Sequence, residues 1–507
     1  MNKKIVTLEK LKNISKTTKL KGKKIIHCHG VFDLLHIGHI KHFAEAKTIG
    51  DVLIVTLTPD KLVNKGPNRP AFKIDHRLEA IAALENVDYV SENKWATAEK
   101  TIELIKPNFY FKGPDYKINK KDITGNIKRE ISAVKKSGGC IRYSKDVTFS
   151  SSTLLNKYAD IYSSKQKNFM KSITKKLYEA DMNNFIDNSF NDLKVLVIGE
   201  TIIDEYVFCE ALGKSGKEPM LVLRELEAEK YLGGASAIAN HLSSFVKKVD
   251  LLSCLGQDKQ YEEFTLKNLS SNIKTKFIYK EKSPTIIKKR FIDKNSKSKT
   301  LGVYSLNDDN LSKKQENSVI SYLNKSNKYD LIIVADYGHG FITEKIAKVI
   351  SNKKIFLSLN AQINSSNSGF HSIKKYPNCN SIIINESELR HELRSREGNL
   401  NELMKILSVN LKADFVVVTR GTEGSTIYNK KKDLYTSCPA FASKVVDKVG
   451  SGDALLPIIS ISLAKKMDDD ISLFLGSLAA AQSVETISNS KSVNKIEIVK
   501  TLQHAIK

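Results

Sequence analysis

Short, uninterrupted apolar runs recur along this chain, each leading through a glycine or small polar residue into a segment with helical spacing. Leu331-Ile332-Ile333-Val334 and Val195-Leu196-Val197-Ile198 carry no polar alternation, which is the pattern of strands buried on both faces. Such strands belong to parallel sheets wound with helices, where ligands bind beyond the carboxyl ends of the strands. At 507 residues the chain exceeds one ordinary core, and about 150 residues per domain gives two to four domains.

The alternation falls into two blocks. Residues 1–22 form a flanking helix, followed by strands at 24–29, 51–57, 87–90, 109–112 and 140–143 with helices between them (75–84 and 97–105 among them) and a closing helix. Residues 161–192 are rich in lysine and amide side chains with a thin stripe at Phe169, Ile173 and Leu177, and form a linker helix. A second block opens at Val195, with further buried strands at 331–335, 354–359, 381–384 and 414–419. Extended segments near Val207 and at 221–226, 285–291 and 300–304 form a small sheet covering a cleft. The expected fold class is therefore α/β with two doubly wound parallel-sheet domains, at 1–160 and 193–507.

Two strand-to-helix junctions carry chemistry. In Gly30-Val31-Phe32-Asp33-Leu34-Leu35-His36-Ile37-Gly38-His39-Ile40-Lys41, two imidazoles meet one helix N-terminus. Free backbone N–H groups and the positive dipole end stabilise an anion there, and Gly38 permits close approach. His36 and His39 can then donate to phosphate oxygens whose charge grows during in-line displacement at phosphorus. In Val446-Asp447-Lys448-Val449-Gly450-Ser451-Gly452-Asp453, two glycines flank a serine at a second helix N-terminus, forming an anion hole for a transferring phosphoryl group. The carboxylate of Asp453 is placed to take a proton from a sugar hydroxyl.

Residues 30–51 resemble the cytidylyltransferase-like nucleotidyltransferases, particularly glycerol-3-phosphate cytidylyltransferases and the adenylyltransferase half of the bifunctional heptose-phosphate kinase/adenylyltransferases. The resemblance implies catalytic roles for His36 and His39 and nucleotide contacts from Gly30, Phe32, Asp33, Gly38 and Lys41. It extends to Arg77 in Asp75-His76-Arg77, to Lys112, Gly113 and Asp115 in a K-G-x-D-Y loop, and to the hydroxyl-rich Ser150, Ser151, Ser152 and Thr153. Lys65-Gly66-Pro67-x-Arg69-Pro70 resembles the family's basic loop. His-Ile-Gly-His also occurs in class I aminoacyl-tRNA synthetases, but their K-M-S-K-S partner is missing here.

The second block resembles ribokinase (PfkB) family sugar kinases. The likeness implies sugar contacts from Asp204, Gly233 and Gly234, a matching strand end at Asp336-Tyr337-Gly338-His339-Gly340, and Asp453 as catalytic base. It also implies an ATP and phosphate side built from Asn385, Glu388, Thr419, Gly421, Gly424, Gly450, Ser451 and Gly452, with Glu388 associated indirectly with Mg2+. Three positions depart from the pattern: Ala237 stands where an asparagine is expected, Leu359-Asn360-Ala361-Gln362 replaces a D-P-K-type element, and Pro457 falls inside the Asp453 helix. An interior proline costs about 3 kcal/mol or forces a kink.

Together the resemblances imply a sugar kinase using ATP and Mg2+ fused to a transferase using ATP or CTP. The pair would make a nucleotide-activated sugar of the ADP-heptose kind for surface polysaccharide. The alternative is a transferase, of glycerol-phosphate type among others, whose kinase-fold half only binds ligand. Formal charge of +25 raises nucleic-acid binding as another class, but the lysines are dispersed without an arginine-rich arm or zinc-finger spacing, so no nucleic-acid partner is expected. Six scattered cysteines without C-x-x-C pairs fit reduced thiols. His27-Cys28-His29 alternates across a strand and cannot converge on a metal. No window nears 18 apolar residues and no leader pattern is present, so a cytoplasmic protein without membrane partners is expected. A homodimer through the kinase lid is a further expectation of the resemblance.

Overall fold

The computed structural model describes residues 2–63, 70–113, 126–144, 162–179, 190–325 and 328–506. Asp115, Ser150, Ser151, Ser152, Thr153 and most of the basic loop at 65–70 lie outside the described residues. The chain divides into two compact units, Met1–Asn183 with Ile496–Lys507, and Asn184–Lys495.

The first unit runs α1 (Leu8–Leu20), β1 (Ile25–Gly30), α2 (Ile37–Thr48), β2 (Val52–Leu57), α3 (Ile74–Ala82), β3 (Tyr89–Glu92), α4 (Glu99–Ile105), β4 (Phe109–Lys112), α5 (Asn126–Lys136), β5 (Cys140–Tyr143) and α6 (Ser164–Glu179). The strand order is β3-β2-β1-β4-β5, with every pair parallel. Period-two alternation sends Ile26, Cys28, Leu53 and Val55 to one face, against Phe43 and Ile81. Ile25 and Ile54 face Leu11 and Ile105 on the other. Each such fully buried aliphatic side chain contributes about 1.5–3 kcal/mol, so the sheet is anchored on both sides.

The second unit runs β6 (Lys194–Lys214), β7 (Leu221–Gly233), α7 (Gly234–Leu242), β8 (Lys248–Gly256), α8 (Glu262–Asn268), β9 (Ile273–Lys280), β10 (Ile286–Asp293), β11 (Lys299–Ser305), α9 (Lys313–Lys325), β12 (Leu331–Asp336), α10 (Glu344–Ser351), β13 (Phe356–Ala361), β14 (Ser381–Asn385), α11 (Glu386–Glu392), α12 (Leu400–Asn410), β15 (Phe415–Thr419), β16 (Ser425–Asn429), β17 (Leu434–Cys438), α13 (Ser451–Ala464) and α14 (Asp469–Val484). The central sheet is parallel from β9 through β8, β6, β12, β13 and β14 to β15, and an antiparallel β16-β17 extension closes it.

One strand serves two layers. Residues Lys194 to Glu200 of β6 pair with β8 in the central sheet, and its continuation from Ile202 pairs with β7 and β10 in the lid. The sequence reading treats these as separate strands; no proline or glycine between Gly199 and Ala211 breaks the extended chain. Gly199 is required inside this strand, because a Cβ there would lie 2.0 Å from the Ala335 carbonyl oxygen of β12.

Pro457 does not interrupt α13, which continues as one helix from Ser451 to Ala464. Residues Ala454 to Leu463 are all buried, and burial on this scale outweighs the cost of one missing backbone bond. The last helix, α15 (Lys495–Ile506), groups from Ile496 with the first unit, whereas the sequence reading gives these residues to the second domain. Its buried Ile498, Val499 and Leu502 make an apolar stripe that periodicity reveals, but periodicity carries no information about which face receives it. No helix among the described residues is long and apolar enough to cross a membrane, and all six cysteines are free thiols.

Candidate active sites

The first site forms where β1 gives way to α2. Phe32 adopts a left-handed backbone (φ 46), rare for a bulky residue, and its ring lies where a Cβ on Gly30 would approach to 3.0 Å. That ring packs edge-on against His39, with centroids 5.2 Å apart, and tilts against Phe43. His36 caps α2, its Nδ1 accepting the Gly38 N–H at 3.1 Å. An Nδ1 that accepts from a backbone N–H leaves Nε2 as the protonated nitrogen of the neutral ring. His36 and His39 stack at 3.9 Å, so the loop brings together the two imidazoles that the sequence pairs. Lys41 is exposed one turn into the helix.

Beneath the loop, His27 and His29 share the Thr56 hydroxyl at 2.8 and 2.9 Å, and Thr58 lies 3.3 Å from the other nitrogen of His29. Burial, with the Lys112 ammonium nearby, pushes His29 down to about 3, and burial holds His27 well below its usual range. Both imidazoles are neutral supports, and no metal-binding group of three or more His, Cys, Asp or Glu occurs among the described residues. Lys112, at the end of β4, pairs with the buried Glu130 at 3.1 Å. Gly113 follows in open space.

Arg77 departs from its expected place as a nucleotide ligand. It is 1% exposed, and its guanidinium donates to the carbonyls of Val31 (2.6 Å), Thr58 (2.9 Å) and Phe72 (3.0 Å) and to Asp60 (2.6 Å). Asp33 likewise accepts the Phe72 N–H at 3.0 Å. The rigid five-donor fork of arginine suits such a clamp, which shapes the histidine loop from behind.

The second site lies along the carboxyl edge of the parallel strands β12 to β15. At the start of α13, Gly450 takes φ 90 as the helix N-cap, followed by Ser451, whose hydroxyl donates to the Lys448 carbonyl at 3.0 Å, and by Gly452. Asp453 accepts the Tyr337 hydroxyl at 2.8 Å and the Asn489 amide at 3.3 Å. Burial, aided by Asp204, pushes its carboxyl up to about 6, against these two hydrogen bonds and Lys288. Tyr337 is itself held by the buried Glu200, which accepts the backbone N–H groups of Tyr337 (3.0 Å) and His339 (3.1 Å).

On the side expected to hold the sugar, Asp204 is 4% exposed and pairs with Arg290 of β10, with Ser488 donating at 3.4 Å. Only glycine fits at Gly233 beside it, since a Cβ would lie 2.5 Å from Asp204 Oδ2. Gly234 has φ 60 and lies against the Glu200 carbonyl, where a Cβ would come within 2.4 Å. The sequence reading passes over Lys288 and Arg290, whose i, i+2 spacing on one strand was the available signal. Lys288 is 7% exposed and lies 5.7 Å from the Tyr337 ring centre.

On the side expected to hold ATP, Asn385 and Glu388 form a capping box on α11, each side chain engaging the other's backbone N–H at 2.8 and 2.9 Å. Burial pushes Glu388 up to about 7, and its carboxyl lines a small cavity with His371 and Glu392. A desolvated carboxyl of this kind fits indirect support of a magnesium ion carried mainly by phosphates and water. Arg420 pairs with Glu386 at 2.9 Å, joining this element to the Thr419–Gly424 turn. Within that turn Gly421 and Gly424 have φ 56 and 94.

Residues 192–496 match the model of the pfkB family carbohydrate kinases, and residues 27–165 match the cytidylyltransferase-like model. The bifunctional protein HldE of Campylobacter jejuni (strain RM1221) is 27% identical over 315 residues, covering 61% of this chain and 65% of that protein. The bifunctional protein HldE of Aliarcobacter butzleri is 41% identical over 137 residues, covering 26% of this chain and 28% of its own length. The chain thus spans less than two thirds of the length of these curated relatives. In fold it is similar to phosphofructokinase-2 from Escherichia coli, with a TM-score of 0.52 at 13% identity over 62% of this chain and 100% of that one. With a cytidylyltransferase-like domain ahead of it, a match over residues 192–496, more than half of its length, places this chain in the pfkB family of carbohydrate kinases.

Proposed function

We propose that the chain carries out two consecutive phosphorus transfers. The kinase domain, 193–507, phosphorylates a heptose phosphate at the anomeric hydroxyl, and the transferase domain, 1–160, joins the resulting sugar 1-phosphate to a nucleoside monophosphate with release of pyrophosphate. Residues 161–192 link the two. The observation that carries the reading is Asp453: a buried carboxyl in the first turn of a glycine-opened helix, held by the Tyr337 hydroxyl and the Asn489 amide and pushed up to about 6.

In the kinase step, Asp453 takes the proton of the sugar hydroxyl as its oxygen attacks the γ-phosphorus of ATP and the bond to the β–γ bridging oxygen breaks, releasing ADP, while the N–H groups at Gly450, Ser451 and Gly452 receive the charge on the transferred group. Asp204 orients the sugar, held in place by Arg290. Magnesium, where bound, neutralises charge on the ATP phosphates, with Asn385 and Glu388 supporting it indirectly. In the transferase step, His36 and His39 donate to the α-phosphate oxygens of the incoming ATP or CTP, with Gly30, Gly38, Lys41, Lys112 and Gly113 around it and Asp115 and Ser150 to Thr153 completing the nucleotide site. Exposed Leu221, Leu226, Leu301 and Val303 on β7 and β11 support a second copy of the chain as lid partner, in the cytoplasm.

The test is mass-spectrometric screening of ATP and CTP against heptoses, heptose phosphates and glycerol phosphate. New phosphorylated and nucleotidylated sugars are expected; nucleotidyl transfer with no sugar phosphorylation from any acceptor would overturn the kinase half.

A further inference from the structure

Resting on the kinase reading above, we infer that His241 and Asn489 form a one-way hydrogen-bond relay that aims the Asp453 carboxylate. They are positioning residues for the proton-accepting oxygen.

The direction of the relay follows from which groups can only donate. The Val493 backbone N–H, a donor, reaches His241 Nδ1 at 3.0 Å. His241 is 1% exposed, and burial pushes it down to about 4, so the ring is neutral across the physiological range. With Nδ1 accepting, its single proton stands on Nε2, which faces Asn489 Oδ1 at 3.1 Å. The Asn489 carbonyl is thereby turned to the histidine and its NH2 to Asp453 Oδ2, at 3.3 Å. Tyr337 holds the other carboxylate oxygen at 2.8 Å. One carboxylate is thus gripped by a donor on each oxygen, from two different parts of the chain.

The same amide abuts the anion hole. A Cβ on Gly450 would lie 2.2 Å from Asn489 Oδ1, so the glycine that opens α13 also makes room for the relay. His241 lies in the last turn of α7, whose first residue is Gly234 of the sugar-side signature. One short helix therefore joins the sugar-side glycines to the group that orients the base.

Besides Tyr337 and Asn489, the groups facing Asp453 are Asp204 of β6, which opposes its ionisation, and Lys288 of β10, which favours it. Removing the Asn489 donor leaves Asp204 unopposed from that side. The acid limb of the sugar-phosphorylation profile should then move to higher pH by about half to one unit, since one lost hydrogen bond to the charged form is worth that much.

The experiment uses the full chain with heptose 7-phosphate and ATP. Asn489→Leu and His241→Leu should each lower kcat about 10-fold and shift the acid limb upward, with KM for ATP within about two-fold of wild type. His241→Gln, whose amide can donate to Asn489 from the place of Nε2, should recover most of the rate and restore the limb. A structural role alone would lower folded fraction without moving the limb or distinguishing Gln from Leu, and that result would overturn the relay.

A second measurement needs no substrate. A carboxyl raised on folding stabilises the fold at pH below its unfolded value and loses that contribution as pH rises through the folded value. The difference in melting temperature between wild type and Asp453→Asn should therefore change across an inflection near pH 6, and the inflection should move upward in the Asn489→Leu background. An unmoved inflection overturns the relay even if the kinase reading stands; a moved inflection with no sugar phosphorylated by wild type overturns the kinase reading and leaves the relay.

Discussion

The N-termini of α2 and α13 offer the same backbone device, a helix opening whose first-turn N–H groups attract phosphate, yet they are equipped with opposite chemistry. At α2 the side chains are a stacked pair of imidazoles backed by neutral His27 and His29. At α13 the side chain is a carboxylate gripped by Tyr337 and Asn489. Donors at the first suit a transfer in which charge on phosphate must be stabilised, and an acceptor at the second suits one in which a hydroxyl must be deprotonated. A helix N-terminus offers a place for an anion in general, and on the function proposed here the side chains set around it select the reaction.

The comparison breaks if one substitution affects both reactions. Asp453→Asn keeps the shape of its site but cannot take a proton, so sugar-dependent ADP formation should fall about 100- to 10,000-fold with nucleotidyl transfer unchanged. His39→Ala should do the reverse, lowering pyrophosphate release about 100- to 1,000-fold while ADP formation stays near wild type. Coupled assays on the same preparations separate the two effects.

Arg77 sharpens the contrast in architecture. Arg77→Met should leave the carbonyls of Val31, Thr58 and Phe72 without their donor and destabilise the first unit by about 2–4 kcal/mol, measured by chemical denaturation followed through Trp95, while the second unit's transition, followed by far-UV circular dichroism, stays unmoved.

The pH profiles provide the smallest and most discriminating difference. Because the Asp453 carboxyl is pushed up to about 6 and must be ionised to act, sugar phosphorylation should rise from pH 5 to 7 along a single-proton limb. His29 and His42, pushed down by burial to about 3 and about 4, stay neutral over that window and should add no limb to nucleotidyl transfer. A limb present in both profiles and lost from both in Asp453→Asn would show that one group governs both reactions.

Much of this is legible in the chain because it is local. Unbroken apolar runs mark the buried strands, and β4 and β5 fall at the residues expected, Phe109–Lys112 and Cys140–Tyr143. Glycine and histidine spacing locates both helix openings, since a helix start and its loop lie within about a dozen residues of one another. Arg77 is visible in the sequence as a residue but not as a clamp, because its carbonyl partners come from both the β1–α2 and the β2–α3 connections, whose approach no spacing encodes.

By itself the sequence determined the two alternating blocks, the two glycine-bearing helix starts and the identity of the groups beside them, all consequences of periodicity and short-range steric rules. Tertiary structure alone decided what aims those groups. His241 and Asn489 meet across 248 residues, and Lys288 reaches the Tyr337 ring from the lid sheet. Tertiary structure likewise carried β6 from core to lid and α13 through Pro457, where packing on all sides outweighs a local preference worth about 3 kcal/mol.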